Sequence, residues 1–235
     1  MKNNELNALF ADLATPQIAD ACVRRHKPLR VAPFGIQSLL AGSHIAGRVL
    51  SAQHYGSVDI FFEAFEQAEN GDILVIDNQG RTDEGCIGDL TVLEAQSVHL
   101  SGMIVWGCHR DTVQLWDIGF PVFSYGAMTL GPVRLDPRPA DALAWAQFGS
   151  HKIQAGDFVF ADEDGVIFVS PPDLDDVLTM ARTIFEKERQ QALDIQAGHN
   201  LREQLQFRDY LAQRAVDPSY SFRQHLRRLG GAIEE

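Results

Sequence analysis

Two uninterrupted apolar runs constrain this chain more than any other feature. Asp72-Ile73-Leu74-Val75-Ile76-Asp77 and Met103-Ile104-Val105-Trp106-Gly107 each read as a strand buried on both faces. Between them stand a Gly- and Asp-rich stretch read as a loop, 78–88, and a helical pattern over 89–100 that carries Leu90, Leu93 and Val98. Strand, loop, helix, strand is the pattern of an α/β unit. Upstream, the spacing predicts helices over 4–13 and 15–22, the second with Thr15 as N-cap and Pro16 at its first position, then a strand over 47–53 and a helix over 58–69. Downstream, 120–125, 133–135, 158–161 and 166–170 read as strands, the last two forming a hairpin across Asp162-Glu163-Asp164-Gly165. Pro171-Pro172 end the sheet, and Asp173 opens a long helix that runs to Gly198. A further helix is predicted over 201–214, and the tail closes with Tyr220-Ser221-Phe222-Arg223 and Gly230-Gly231. The chain therefore divides once, into an α/β core at 1–172 and a C-terminal helical extension at 173–235.

Composition narrows the functional classes. The 32 acidic and 20 basic residues give a net charge of −12, which argues against nucleic acid as a partner, because that grip needs clustered Lys and Arg. Residues 1–175 hold 11 basic and 23 acidic groups, whereas 176–235 hold 9 of each. Cys22, Cys86 and Cys108 are odd in number and lack Cys-x-x-Cys spacing, which fits reduced thiols better than disulfides or a zinc site. The N-terminus is polar and amphipathic, without a signal peptide's apolar stretch, and no run of about 18 apolar residues occurs. The expectation is a cytoplasmic protein with no membrane partner.

Two segments could carry chemistry. Gly85-Cys86-Ile87-Gly88-Asp89-Leu90-Thr91 leads glycines into a helix N-terminus, where unpaired N–H groups can hold a carboxylate or phosphate. The plainer reading is a glycine turn with Asp89 capping the helix. Val105-Trp106-Gly107-Cys108-His109-Arg110-Asp111-Thr112 ends a buried strand, the place where open α/β sheets bind ligands. Arg110 and Asp111 would point to opposite faces of a continuing strand, so a shared site requires the chain to leave the strand by Gly107. Either Asp111 caps the next helix, or the pair binds an acidic substrate and a divalent cation; Mg²⁺ commonly takes only one or two protein carboxylates. The remaining histidines are scattered without metal-box spacing, and His109 stands out only by adjoining Arg110. Cys108 lacks an evident base, which favours a small buried thiol over a nucleophile. No P-loop, Gly-x-Ser-x-Gly elbow or Gly-x-Gly-x-x-Gly is present.

Taken together, Gly88-Asp89-Leu90, the following helix, and Ser101 through Asp111 resemble the RraA-like family, which includes class II 4-hydroxy-4-methyl-2-oxoglutarate/4-carboxy-4-hydroxy-2-oxoadipate aldolases. Ala155-Gly156-Asp157 through Asp162 and Asp164-Gly165-Val166 look like the family's hairpin. The resemblance covers roughly residues 15–200. It implies an α/β/β swivelling-domain core assembled as a homotrimer or homohexamer, with sites between subunits. It further implies Asp111 as ligand of Mg²⁺ or Mn²⁺, and Arg110 as the group that binds substrate and stabilises an enolate. Gly88, Asp89, Leu90 and Thr91 would hold the carboxylate of a small 2-oxo acid, with Asp89 also ordering a water on the metal. Glu188, or failing that Glu186, would come from a neighbouring subunit's C-terminal helix as a catalytic residue, it or Asp89 polarising the water that removes the C4 hydroxyl proton. The implied reaction is retro-aldol cleavage of a 4-hydroxy-2-oxo acid to pyruvate and a second carbonyl compound, with oxaloacetate decarboxylation as a side activity. No lysine lies in these loops, which disfavours a Schiff-base aldolase. His109 replaces the small or aliphatic residue usual before Arg-Asp; it either selects a more polar substrate or points away. The competing reading is a non-catalytic regulator of the ribonuclease E inhibitor type; the Arg110-Asp111 pair and the long C-terminal extension favour an enzyme. A methyltransferase label used for some longer members finds no cofactor-binding loop in this sequence.

Overall fold

The computed structural model describes residues 1–230, so Gly231 of the predicted tail lies outside the described residues. In chain order the elements are α1 (Asn3–Phe10), α2 (Thr15–Arg24), β1 (Arg30–Val31), β2 (Gln37–Ser38), β3 (Ile45–Gln53), α3 (Asp59–Phe65), β4 (Ile73–Ile87), α4 (Asp89–Ser97), β5 (Gly102–His109), α5 (Thr112–Ile118), β6 (Val122–Ser124), β7 (Trp145–Phe148), β8 (His151–Gln154), β9 (Phe158–Asp162), β10 (Gly165–Val169), a 3-10 turn (Pro171–Asp173), α6 (Leu174–Gln196), α7 (Leu201–Gln204), α8 (Phe207–Val216) and α9 (Phe222–Leu229). This is a mixed α/β fold followed by a C-terminal helical segment, as the sequence predicts.

One mixed sheet runs in the order β1-β10-β9-β3-β4-β5-β6-β2. Its β3, β4, β5 and β6 are parallel, whereas β9 pairs antiparallel with both β3 and β10. Alternation along β4 builds two cores at once. Leu74 and Ile76 face α3, α4 and α5, packing with Phe61, Val92 and Leu115. Ile73 and Val75 face the other way, onto Val159 and Phe168 from β9 and β10 and onto Phe148 and Ile153 of the β7–β8 hairpin. The outer side of β9 and β10 carries Phe160 and Ile167, covered by α1, α2 and the first half of α6 through Phe10, Ile18, Val177 and Ile184. Being buried on both faces is why these strands read as continuous apolar runs.

Several local expectations are corrected. The predicted loop at 78–88 is instead the bulged continuation of β4: Arg81, Gly85 and Ile87 ladder onto Gly107, Cys108 and His109 with register shifts between them. Gln79 and Gly80 supply positive φ at the first bulge. α4 does not bury Leu90 and Leu93, which are 77% and 46% exposed; Val92 and Ala95 face the sheet. The apolar alternation at 133–135 forms no strand, and Val133 and Leu135 face solvent. α1 stops at Phe10, and α3 ends at Phe65 rather than at 69. The helix predicted over 201–214 breaks at Gln206, which takes a left-handed φ of 48° between α7 and α8. The β7–β8 hairpin and α9 were not predicted; α9 carries a capping box, Ser221 with Gln224.

Thr15 is not the N-cap of α2, whose cap is Ala14. Its side chain is committed elsewhere: Thr15 Oγ1 donates to Asp162 Oδ1 at 2.7 Å and its N–H to Oδ2 at 2.6 Å, all of it buried. Thr15→Val, removing one donor to a buried carboxylate, is expected to cost about 1–3 kcal/mol of unfolding free energy, measured by urea denaturation.

Candidate active site

Neighbouring parallel strands bring the two candidate segments side by side. β4 ends at Ile87 and passes through Gly88 into α4; β5 ends at His109 and passes through Arg110 and Asp111 into α5. The Arg110 N–H donates to the Ile87 carbonyl at 2.9 Å, which fixes the register of one turn on the other.

The strand does not release the chain by Gly107, as a shared Arg-Asp site seemed to require; it runs on to His109. The change of direction comes from Asp111, whose φ of 60° and ψ of 38° are left-handed. Asp tolerates that region better than most residues, and such backbone at a strand end is characteristic of functional sites. The turn brings the Asp111 carboxylate to 3.3 Å from Arg110 Nε and 3.4 Å from the Asp89 N–H. Gly88 makes this approach possible, because a β-carbon there would collide with Asp111 Oδ2. Asp111 also stands as the residue before α5, at the helix cap position but without a side-chain capping hydrogen bond.

In the first turn of α4 the N–H groups have no intrahelical acceptor. The cap of α4 is Gly88 rather than Asp89, which is the first helical residue and accepts from the Leu90 N–H through Oδ1 at 2.7 Å. Gly88 to Thr91 and the Arg110-Asp111 pair line one cavity of about 300 Å³, with Val58, Phe62 and Pro132 as an apolar wall. Sequence reasoning brought Gly88, Asp89, Leu90, Thr91, Arg110 and Asp111 to this cavity but missed its wall. Pro132 directly precedes the misread 133–135 stretch, and Phe62 lies on the helix read over 58–69 with no face assigned. A larger cleft of about 550 Å³ lies between the N-terminal residues and Arg48, whose guanidinium is committed to Asp72.

Glu188 lies outside this cavity within one chain: its carboxylate accepts from Gln17 Nε2 on α2 at 2.9 Å. Glu186, also on α6, is exposed. His109 points away from the site, its Nδ1 2.7 Å from Ser124 Oγ and its Nε2 3.2 Å from Thr112 Oγ1. Burial pushes its pKa down, which keeps the imidazole neutral. Cys22, Cys86 and Cys108 are free and buried, and burial raises all three thiols, Cys22 to about 11, so none is poised as a nucleophile.

Among the described residues no group of three or more His, Cys, Asp or Glu is arranged to hold a metal ion. What the cavity offers is hard oxygen donors, Asp111 and Asp89. That set suits a cation such as Mg²⁺, which needs one or two carboxylates and fills its remaining positions with water or substrate. No helix of the described residues is long and apolar enough to cross a membrane.

The sequence profile described as RraA-like (Aldolase/RraA) matches residues 15–168. A protein of Aromatoleum aromaticum named "Putative 4-hydroxy-4-methyl-2-oxoglutarate aldolase" is 26% identical over 151 residues, 64% of this chain and 94% of that one. Among solved structures, an uncharacterized protein of Pseudomonas syringae pv. tomato superposes with a TM-score of 0.74 at 22% identity, over 86% of this chain and 97% of its own. RraAS2 of Streptomyces coelicolor, described as an unusual member of the RNase ES inhibitor RraA family, superposes with a TM-score of 0.71 at 20% identity, over 84% of this chain and all of its own.

Proposed function

Because the chain belongs to the RraA-like family, we propose that it is a divalent-metal-dependent lyase that cleaves a 4-hydroxy-2-oxo acid to pyruvate and a second carbonyl compound. The observation that carries this reading is the convergence, in one cavity, of the Arg110 guanidinium, the Asp111 carboxylate and the N-terminal amides of α4. Relatives named as aldolases support it, and the family also holds non-catalytic regulators.

The chain's own residues divide the work. Asp111, with Asp89 beside it, would hold Mg²⁺ or Mn²⁺, whose charge when bound would polarise the substrate's 2-oxo group. The α4 amides receive the substrate carboxylate; Leu90 N–H becomes available when Asp89 swings off it. Arg110 places positive charge where the enolate oxygen develops, which stabilises the transition state more than the ground state. Asp89, once released from Leu90, or Glu188 from a neighbouring subunit would assist removal of the C4 hydroxyl proton, so that the C3–C4 bond breaks and a proton returns to C3 of the enolate to give pyruvate. The same enolate forms when oxaloacetate loses CO₂, so that decarboxylation needs no further group.

Leu90, Leu93, Val113 and Trp116 leave exposed apolar surface on α4 and α5 beside the cavity. That surface supports a homotrimer or homohexamer with sites at subunit boundaries, in which Glu188 serves a neighbour. The buried free thiols fit a cytoplasmic location.

The test is pyruvate formation from a panel of 4-hydroxy-2-oxo acids and oxaloacetate. Release is expected with Mg²⁺ or Mn²⁺, stopping with EDTA and returning when metal is restored. No pyruvate from any panel member, together with capture of a ribonuclease, would replace this reading with that of a regulator.

A further inference from the structure

The segment 126–136 has no helix and no strand, only a bridge between Ala127 and His109, yet it is tied down along its length. The Met128 N–H donates to the His109 carbonyl, the Gly85 N–H to the Leu130 carbonyl and the Asp136 N–H to the Tyr55 carbonyl, each at 2.8 Å. Between the last two ties, Arg134 turns inward. Its Nε donates to Glu84 Oε1 at 3.1 Å, and its terminal nitrogen donates to Asn78 Oδ1 at 2.9 Å and to the His54 carbonyl at 3.2 Å. The Glu84 and His54 side chains are 5% and 1% exposed. His54 Nδ1 shares the Asn78 oxygen at 2.8 Å, and burial drives its pKa down, so the ring is neutral. Arg134 therefore supplies buried Glu84 with a partly buried, hydrogen-bonded counter-charge; Arg81, at 3.7 Å, is the more distant cation.

This anchor has a consequence three residues earlier. A β-carbon at Gly131 would stand 2.6 Å from the terminal guanidinium nitrogen of Arg110. The strap's backbone thus lies against the cation of the substrate cavity, and its next residue, Pro132, forms part of the cavity wall. Gly131 does not have a positive φ, so alanine suits its backbone. A methyl group there would displace the free end of a flexible side chain rather than the strap.

We propose that Arg134 is a positioning residue: by anchoring the strap in the pocket of His54, Asn78 and Glu84, it holds Gly131 against the Arg110 guanidinium and so sets where that cation stands in the cavity. The inference rests on the lyase reading only for what Arg110 binds.

The full-length chain and its Arg134→Met, Arg134→Lys and Gly131→Ala variants are compared by amide hydrogen exchange, by the NMR resonance of the Arg110 Nε–H, by thermal melting, and by kcat and KM for pyruvate release. In Arg134→Met, amides of 126–136 are expected to exchange at least about tenfold faster while those of 73–77 and 102–106 keep their rates. The Arg110 resonance shifts, and KM rises by about tenfold with a smaller change in kcat. Gly131→Ala shifts the Arg110 resonance and raises KM while strap exchange and melting stay as in the parent. Arg134→Lys lies between parent and Arg134→Met. A loosened strap with an unmoved Arg110 resonance and KM would overturn the proposal, as would a strap indifferent to Arg134. Should Arg134→Met fail to fold, Gly131→Ala and Arg134→Lys decide. If the parent chain releases no pyruvate, the lyase reading falls, and exchange with the Arg110 resonance still decides the positioning role.

Discussion

Asp111→Asn is expected to lower kcat/KM for pyruvate release by about 10³-fold, equivalent to about 4 kcal/mol of transition-state stabilisation. Three roles meet in this carboxylate: it faces the α4 amides, it pairs with Arg110, and in the proposed reaction it holds the cation. Asparagine keeps the size and tolerates the left-handed backbone that Asp111 adopts at φ 60°. The turn should therefore survive, and only the charge is removed. The measurement is steady-state pyruvate release across a Mg²⁺ or Mn²⁺ titration, with the melting temperature as control. A variant within threefold of the parent, about 0.7 kcal/mol, would show that Asp111 is a helix-start residue and nothing more.

Gly88→Ala is expected to reduce kcat/KM by about 10²-fold with little loss of stability, because misplacing a catalytic group by about 1 Å costs that much. The backbone does not require glycine: φ −147° and ψ −168° are extended and open to any residue. The obstacle is the added methyl, which would collide with Asp111 Oδ2 and reach 3.4 Å from Arg110 Cγ. The Asp111 carboxylate can rotate away, so activity falls while the fold persists. Rate and melting temperature measured together distinguish the outcomes. A large drop in melting temperature with unchanged activity per folded molecule would assign Gly88 to packing.

The 88–91 and Arg110-Asp111 sides of the cavity were legible as glycines leading into a helix and an Arg-Asp pair after a buried run, and the resemblance to the RraA-like family joined them. Arg110 and Asp111 follow a buried apolar run, Gly88 and Asp89 follow a stretch that reads as loop, and the adjacent parallel strands β4 and β5 bring the two ends together. The manner of convergence was not legible, since the left-handed turn at Asp111 leaves no mark in apolar periodicity. Nor was the extent of β4, because Gln79, Gly80 and Gly85 read as loop until the ladder to β5 is in place. Apolar residues also misled. Leu90 and Leu93 belong to the outward face of α4, and Val133 to the strap, so their hydrophobicity does not report burial within one chain. α9 was within reach, through the Ser221 and Gln224 capping box.

In the proposed reaction the substrate carboxylate would be held by backbone at the start of α4, whereas the side chain of Leu90 projects outward at 77% exposure. Main-chain donors are indifferent to the side chain that follows them. On that reading position 90 would be free to drift toward whatever an assembly surface demands without disturbing a grip on a carboxylate. Under the proposed function, selection on association and selection on chemistry would act on separate atoms of one residue, and a descendant of this chain could change its quaternary contacts while keeping its reaction.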